Sequence, residues 1–397
     1  MAVESMDRTL RDRAAIVGIG ATEFSKDSGR SELQLAMECV KAALDDAGLD
    51  PSEVDGMATF TLEQNWEIAV ARGVGIGDLT FFSRTEYGGG ACCATVHHAA
   101  MAVATGTSDV VVCYRAFNER SESRYGLGIA NNQYAPTVAG IHWSWHMPYG
   151  LMTPASWVAM FTQRYMHLTG TTSEDIGRVS VADRKHAANN PAAWFYERPI
   201  SLEQHQASPW IVEPLHLLDC CQESDGGVAI VVTSPERARD LKQTPVMIRA
   251  ASQGSSWDQE MMTSYYREEM AALPEMALVG RKLWETSGLG PDDMQCGILY
   301  DAFAPMVLMT LEEFGFCGRG EAKDFVRDGR IEIGGDFPVN TNGGQLGEAY
   351  IHGMNGIAEG VRQVRGTAIN QVAGTEHVVV TAGTGVPTSG LILGTDR

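Results

Sequence analysis

No apolar run in the sequence is long enough to cross a bilayer. Runs such as Val110–Tyr114 and Val378–Val380 have the length of buried strands. Positive charge is scarce as well: 30 Lys and Arg against 50 Asp and Glu leave a formal charge of −20. A field of that sign repels nucleic acid and anionic membrane surfaces, so neither is an expected partner. The N-terminal residues 1–13 lack the apolar centre of a secretory signal. The 8 cysteines form no Cys-x-x-Cys pair, and two of their pairings, Cys92–Cys93 and Cys220–Cys221, are adjacent in the chain. Adjacent thiols suit neither a zinc site nor a disulfide. Reduced cysteines, a cytoplasmic location, and no metal or cofactor of the chain's own are the expectations.

What the 397 residues do have is a large apolar fraction, 44%, with 43 glycines placed where strands hand over to helices. A length of this order suits two or three compact units. The first apolar run, residues 14–22, ends in Gly18-Ile19-Gly20, but a dinucleotide fingerprint needs a third glycine where Glu23 stands. It reads as a first strand with a tight exit, followed by a helix over 33–47. Gly88-Gly89-Gly90 then leads a helix of small residues over 94–105 and a strand over 109–114. The same order returns downstream, with Gly343-Gly344, a helix over 355–365 and the strand 377–381. An internal duplication of an α/β unit explains both passages. Between them, residues 118–222 are rich in Trp, Tyr, His, Met and Pro, including Trp143, Trp145, Trp157, Trp194 and Trp210. That texture reads as a helical cap with a small core of its own. The first half resumes at 226–232, and the second opens at 246–250 with a further strand at 296–300.

These landmarks resemble the thiolase superfamily, nearest to its sterol-carrier/lipid-transfer branch. The matching stretches are Ile16-Val17-Gly18-Ile19-Gly20-Ala21-Thr22-Glu23-Phe24, Gly88-Gly89-Gly90-Ala91, Leu218-Asp219-Cys220-Cys221 with Ser224-Asp225-Gly226, Tyr300-Asp301-Ala302-Phe303-Ala304, and Asn342-Gly343-Gly344. The resemblance spans residues 14–394. It implies a five-layered α/β/α/β/α fold of two similar halves. By that reading 14–118, completed by 223–240, is the first half, 119–222 an inserted loop domain, and 241–397 the second half. A homodimer is implied too.

The departures carry as much information. The family's nucleophilic cysteine falls on Ala91, with Cys92 and Cys93 one and two places on. Its Gly-His-Pro histidine falls on Tyr350, and its second cysteine falls within Thr381-Ala382-Gly383-Thr384-Gly385, which has none. Without a nucleophile, the enolate-forming half of the chemistry can still cleave a β-hydroxy thioester by retro-aldol scission. Tyr300 and Tyr350 at the reaction centre resemble the lipid-transfer-protein-like aldolases of bacterial steroid side-chain degradation. That resemblance implies a 17-hydroxy steroid carboxyl-CoA substrate, a 17-keto steroid and propanoyl-CoA as products, and a small partner with an OB fold and a zinc ribbon in a heterotetramer. Tyr300 is expected to be the base and Tyr350 the acid, the reverse order being the alternative. A phenol of pKa near 10 is only about 0.1% ionised at neutral pH, so a base role needs help from its surroundings.

Asp301 is a candidate for orienting a water or a tyrosine hydroxyl, or else it caps the turn before Ala302. His352 is a candidate enolate-oxygen donor, and Gly383, Thr384 and Gly385 are oxyanion-hole candidates. Of His97 and His98, one is expected to be a core histidine. Arg84, Arg115, Arg184 and Lys185 are basic enough to meet CoA phosphates but are expected on the solvated surface. Two other functions compete: an acetyl-CoA acyltransferase using Cys92 or Cys93, and a non-catalytic acyl-CoA or sterol carrier.

Overall fold

The computed structural model describes residues 10–122, 124 and 138–396. Its strands in chain order are β1 (Ala15–Ala21), β2 (Gly56–Phe60), β3 (Phe81–Thr85), β4 (Val110–Asn118), β5 (Trp210–Val212), β6 (Leu215–His216), β7 (Asp225–Thr233), β8 (Val246–Gly254), β9 (Cys296–Ile298), β10 (His377–Thr381) and β11 (Thr388–Thr395). Every residue of β4 and β7 is buried, as expected for strands covered on both faces by other layers. All but the small β5–β6 hairpin join one sheet of 9 strands in the order β3-β2-β4-β7-β1-β8-β11-β10-β9.

The pairing reveals the duplication. In the first half β2 and β4 are parallel, and β4–β7 and β7–β1 are antiparallel. In the second, β9 and β10 are parallel, and β10–β11 and β11–β8 are antiparallel. The halves meet where Ala15 and Ile16 of β1 pair with Met247 and Val246 of β8. Beyond that short seam they fold over the helices Cys92–Ala104 and Met354–Arg365. A single core joins Cys93, Val96, Ile357 and Val361 of those helices to Val111 and Ile230 on one side and Val380 and Leu391 on the other. Helix Glu32–Ala47 covers the outside of the first half-sheet. Helices Pro274–Ser287 and Pro305–Glu313 cover the outside of the second. The layers are α/β/α/β/α, as the family resemblance implies, and no described helix is long and apolar enough to cross a membrane.

The first strand is where the sequence placed it, its glycines have a packing role, and two other local readings are corrected. A Cβ on Gly20 would stand 2.3 Å from the Ala43 amide nitrogen and 2.4 Å from the Cys39 carbonyl oxygen, and one on Gly18 2.2 Å from the Ala43 carbonyl. The Gly-x-Gly pair therefore serves close packing of β1 on helix Glu32–Ala47. The cap has no separate core either. Val158, Phe161, Tyr165 and Ile176 from its helices pack into one cluster with Leu299, Phe303 and Leu308 of the second half. Finally, β9 stops at Ile298, short of Tyr300, because the next amides leave the ladder for side chains. Leu299 N–H donates to Asn340 Oδ1 at 2.8 Å and Tyr300 N–H to Thr381 Oγ1 at 3.0 Å.

Replacing Gly20 by Ala is expected to lower the unfolding free energy by about 1–3 kcal/mol, because the methyl group meets helix backbone that cannot rotate away. Denaturant titration against the parent chain measures this.

Candidate active site

The two tyrosines reach one point from different elements. Tyr300 leaves the end of β9, and Tyr350 lies in the segment entering helix Met354–Arg365. Their hydroxyl oxygens are 3.2 Å apart, within hydrogen-bonding distance. Glycines make this approach possible. A Cβ on Gly89 would stand 1.7 Å from the Tyr300 hydroxyl, and one on Gly353 would stand 2.7 Å from Cys92 Sγ and 3.2 Å from the Tyr300 ring. Gly353 also adopts φ +89°, which excludes most other residues. The Tyr300 hydroxyl thus rests on the turn that opens the buried helix Cys92–Ala104, whose positive dipole end favours negative charge.

Tyr350 is held by its N–H donating to Ser224 Oγ at 3.2 Å, and its ring lies 4.6 Å from that of His352. Burial pushes both phenols well above the ordinary tyrosine range. The hydrogen bond with Tyr350 pulls Tyr300 partly back, whereas the neighbouring Tyr300 pushes Tyr350 further up. Either hydroxyl can donate to the other, so the contact stabilises whichever of the two phenols carries the charge.

Behind the pair lies a buried cation. Arg115, wholly inaccessible on β4, donates from Nη2 to His352 Nδ1 at 3.1 Å and from Nη1 to the Thr61 carbonyl at 3.1 Å. Its guanidinium lies 4.6 Å from the Phe117 ring centroid and 5.3 Å from that of Phe60, with Glu63 Oε2 at 3.9 Å. Burial, followed by the Arg115 charge, holds His352 well below its usual range. The imidazole is neutral, with Nδ1 accepting and the ring proton on Nε2, the form that can donate to an oxyanion.

Asp301 turns elsewhere. Its oxygens accept from the N–H groups of Gln345 at 2.8 Å and Leu346 at 3.0 Å. It anchors the short helix Gly344–Gly347, which leads to Tyr350. In the loop between β10 and β11, the Gly383 N–H is spent on the Gly89 carbonyl at 3.3 Å. The N–H groups of Thr384 and Gly385 donate to no group among the described residues. Thr384 Oγ1 is buried and has no partner either. The loop therefore offers donors at 384 and 385, while 383 ties it to the glycine turn.

Cys92 and Cys93 are both fully buried, Cys93 faces the Val380 carbonyl at 3.8 Å, and burial raises its thiol well above the ordinary range. His98 pairs through Nδ1 with Ser83 Oγ at 2.8 Å. Two of the surface arginines need correction. Arg115 is buried as described, and Arg184 is buried with its guanidinium 3.5 Å from the Phe195 ring centroid. Arg84 pairs with Glu67 at 3.2 Å, and the exposed Lys185 pairs with Glu332. The sequence carried a signal for Arg115, a lone charge inside the apolar run Val110–Phe117. Alternation along a doubly covered strand leaves such a residue no route to water.

A cavity of about 600 Å³ opens among Trp145, Tyr149, Leu151, Met160, Tyr265 and Glu260, and Met262, in the segment between Glu260 and Tyr265, donates its N–H to the Gly385 carbonyl at 2.5 Å. It is mostly apolar and aromatic. Among the described residues no group of three or more His, Cys, Asp or Glu could hold a metal.

Comparison with known proteins places this geometry. Residues 256–395 match the thiolase C-terminal domain-like family. A steroid side-chain-cleaving aldolase of Thermomonospora curvata is 67% identical over 97% of this chain and 98% of its own. A 17-hydroxy-3-oxo-4-pregnene-20-carboxyl-CoA lyase of Mycobacterium tuberculosis is 68% identical over 97% of this chain and all of its own, 100%. The solved Ltp2–ChsH2(DUF35) aldolase superposes with a TM-score of 0.94 at 65% identity, covering 98% of this chain and 99% of that one. Human mitochondrial 3-ketoacyl-CoA thiolase shares the fold, with a TM-score of 0.69 at 16% identity over 98% of this chain and 100% of its own. The chain has the thiolase fold and belongs to the family of steroid side-chain-cleaving aldolases within the thiolase superfamily.

Gly89→Ala is expected to displace the Tyr300 hydroxyl and cut turnover about 100-fold, the scale of losing a positioned acid or base. Steady-state rates together with a circular dichroism spectrum matching the parent test this.

Proposed function

We propose that the chain is a carbon–carbon lyase that cleaves a 17-hydroxy steroid 20-carboxyl-CoA thioester to a 17-keto steroid and propanoyl-CoA. The observation that carries this reading is the pair of hydroxyls 3.2 Å apart where a thiolase has sulfur and imidazole. Tyr300 removes the proton of the 17-hydroxyl. The bond from C17 to the α-carbon breaks, its electrons becoming the thioester enolate, and C17 becomes a carbonyl. Tyr350 delivers its proton to the α-carbon, and the proton gained by Tyr300 crosses to Tyr350. No covalent intermediate and no cofactor are required.

The energetics decide how much help Tyr300 needs. Ionising a phenol whose pKa exceeds 10 costs more than about 4 kcal/mol at neutral pH. A hydrogen bond to the charged form offsets about 1.5–3 kcal/mol of that, and a helix N-terminus up to about 2 kcal/mol. Tyr350 and the turn before Cys92 supply one each. His352 and the donors at Thr384 and Gly385 are assigned to the enolate oxygen. The apolar cavity among Trp145, Tyr149, Met160 and Tyr265 suits the apolar ring system of the substrate.

The relative solved as Ltp2–ChsH2(DUF35) supports a partner subunit. We assign this chain a small OB-fold and zinc-ribbon partner in a heterotetramer built on a homodimer. β3 supports the homodimer: it is an edge strand with Phe82 72% exposed. A cytoplasmic location fits cysteines that are all free. The acyltransferase reading is less well served, since Cys92 and Cys93 show no accessible surface.

Tyr300→Phe and Tyr350→Phe are each expected to lower kcat by about 100-fold or more, because only a hydroxyl is lost. Release of propanoyl-CoA and the 17-keto product from the complex, followed by mass spectrometry, is the measurement, and wild-type rates in both variants refute the assignment. A second outcome is expected of the parent enzyme: turnover unchanged after thiol alkylation and no acyl adduct on the chain. A covalent adduct at Cys92 or Cys93 would favour the acyltransferase.

A further inference from the structure

Arg115 is a buried cation to which the mechanism above gives no task. β4 is buried along its whole length, and Arg115 is wholly inaccessible in it. Burying a guanidinium is unfavourable unless a carboxylate meets it directly. Glu63 Oε2 stands 3.9 Å away, because the Glu63 oxygens are occupied by the N–H groups of Ala116 at 2.7 Å and Asn65 at 3.0 Å. Arg115 Nε is buried without a partner. What the guanidinium does reach is the His352 ring, with Nη2 3.1 Å from Nδ1, while Nη1 donates to the Thr61 carbonyl at 3.1 Å.

A guanidinium has N–H groups and no acceptor, so the nitrogen it faces must offer a lone pair. His352 Nδ1 is therefore unprotonated and the ring proton sits on Nε2. The ring is fixed in place as well. His352 adopts φ +49°, a left-handed backbone that persists in a residue with a side chain only where its surroundings impose it. Phe60 and Phe117 meet the imidazole edge-on with centroids 6.3 Å away, and the Tyr350 ring lies 4.6 Å away. Among the described residues, the charged and titratable groups that face His352 are Arg115 from β4 and Tyr350 from its own segment. Glu63, Glu32 and Glu119 bear on Arg115 in turn.

Resting on the lyase reading, we propose that Arg115 is a positioning residue: by donating to Nδ1 it holds the His352 ring uncharged, in one tautomer and packed against Tyr350. The charge on that ring matters to Tyr350, which delivers its proton to the α-carbon. An imidazolium 4.6 Å from the Tyr350 ring would favour the phenolate, the form with no proton to give. With Arg115 in place the positive charge stays on the guanidinium, where Glu63 balances it. The same hydrogen bond keeps a proton on Nε2, the donor assigned to the enolate oxygen. A lysine would bring one ammonium, whereas Arg115 serves His352 and the Thr61 carbonyl from two nitrogens of one rigid plane.

The test is Arg115→Met in the complex with the partner subunit, assayed with the steroid thioester across pH. We expect kcat to fall about 10-fold or more with KM changed less than about twofold. Without the cation the His352 titration moves up toward its ordinary value near 6.5, so the fall of kcat on the acid side sets in at higher pH than in the parent. Adding His352→Gln to Arg115→Met is expected to remove that displaced limb. The parent's kcat and pH profile in Arg115→Met, a change in KM alone, or a displaced limb that survives His352→Gln overturns the proposal. If Arg115→Met does not fold, solid-state nitrogen-15 NMR of the histidine-labelled parent complex decides, the His352 signal being the one lost in His352→Gln. An unprotonated Nδ1 beside a protonated Nε2 from about pH 5.5 to 8 supports the proposal, and a proton on Nδ1 in that range overturns it. Full activity in the tyrosine variants sinks the lyase reading itself, whereas inactive tyrosine variants beside an Arg115→Met enzyme of normal kcat and profile sink only this inference.

Discussion

The hydrogen bond between the phenols of Tyr300, buried, and Tyr350, half-buried, is the constraint on which the rest of the site depends. In water two tyrosines are weak acids with no reason to exchange protons at neutral pH. Packed together away from bulk water, both are harder to ionise, and any charge that forms is met by fixed groups. Those groups are present: the opening turn of helix Cys92–Ala104, the neighbouring hydroxyl, and the cation Arg115 behind a neutral His352. Preorganised dipoles act strongly in such a dry environment because nothing has to reorient when charge develops.

The duplicated architecture creates that dry place. Each half contributes a glycine turn, a helix of small residues and a buried strand, and folding the halves over each other puts both helices in one middle layer. Tyr300 and Tyr350 come from the second half, whereas Gly89, Arg115 and Ser224 come from the first. The site therefore exists only when the halves are closed. The same geometry explains why the thiols fall silent. With Ala91 where the family carries its nucleophile, Cys92 is sealed against Gly353 and Cys93 faces β10, so sulfur is packed as apolar volume.

Much of the frame was legible along the chain. The repeated order of glycine turn, helix and strand predicted both buried helices to within two residues at their starts, and the tyrosines stood out because they occupy positions where the family places other chemistry. Less legible were features that depend on what an element packs against. Gly18 and Gly20 read as part of a first strand, and only the packing of helix Glu32–Ala47 explains why both must be glycine. Arg115 read as surface because charge usually is, and only a strand covered on both faces overrides that tendency. The aromatic-rich cap was legible as a segment, yet its core belongs to the second half, since a composition does not say which neighbour supplies the other side of a cluster.

The sequence by itself determined the family, the two-half plan and the loss of a nucleophile, because those rest on residue identity and order. Tertiary structure alone decided that two hydroxyls 50 positions apart would share a hydrogen bond, and that Asp301 would serve backbone amides. Distances of that kind depend on how closed layers exclude water and bring remote segments into contact, which no local pattern of residues encodes.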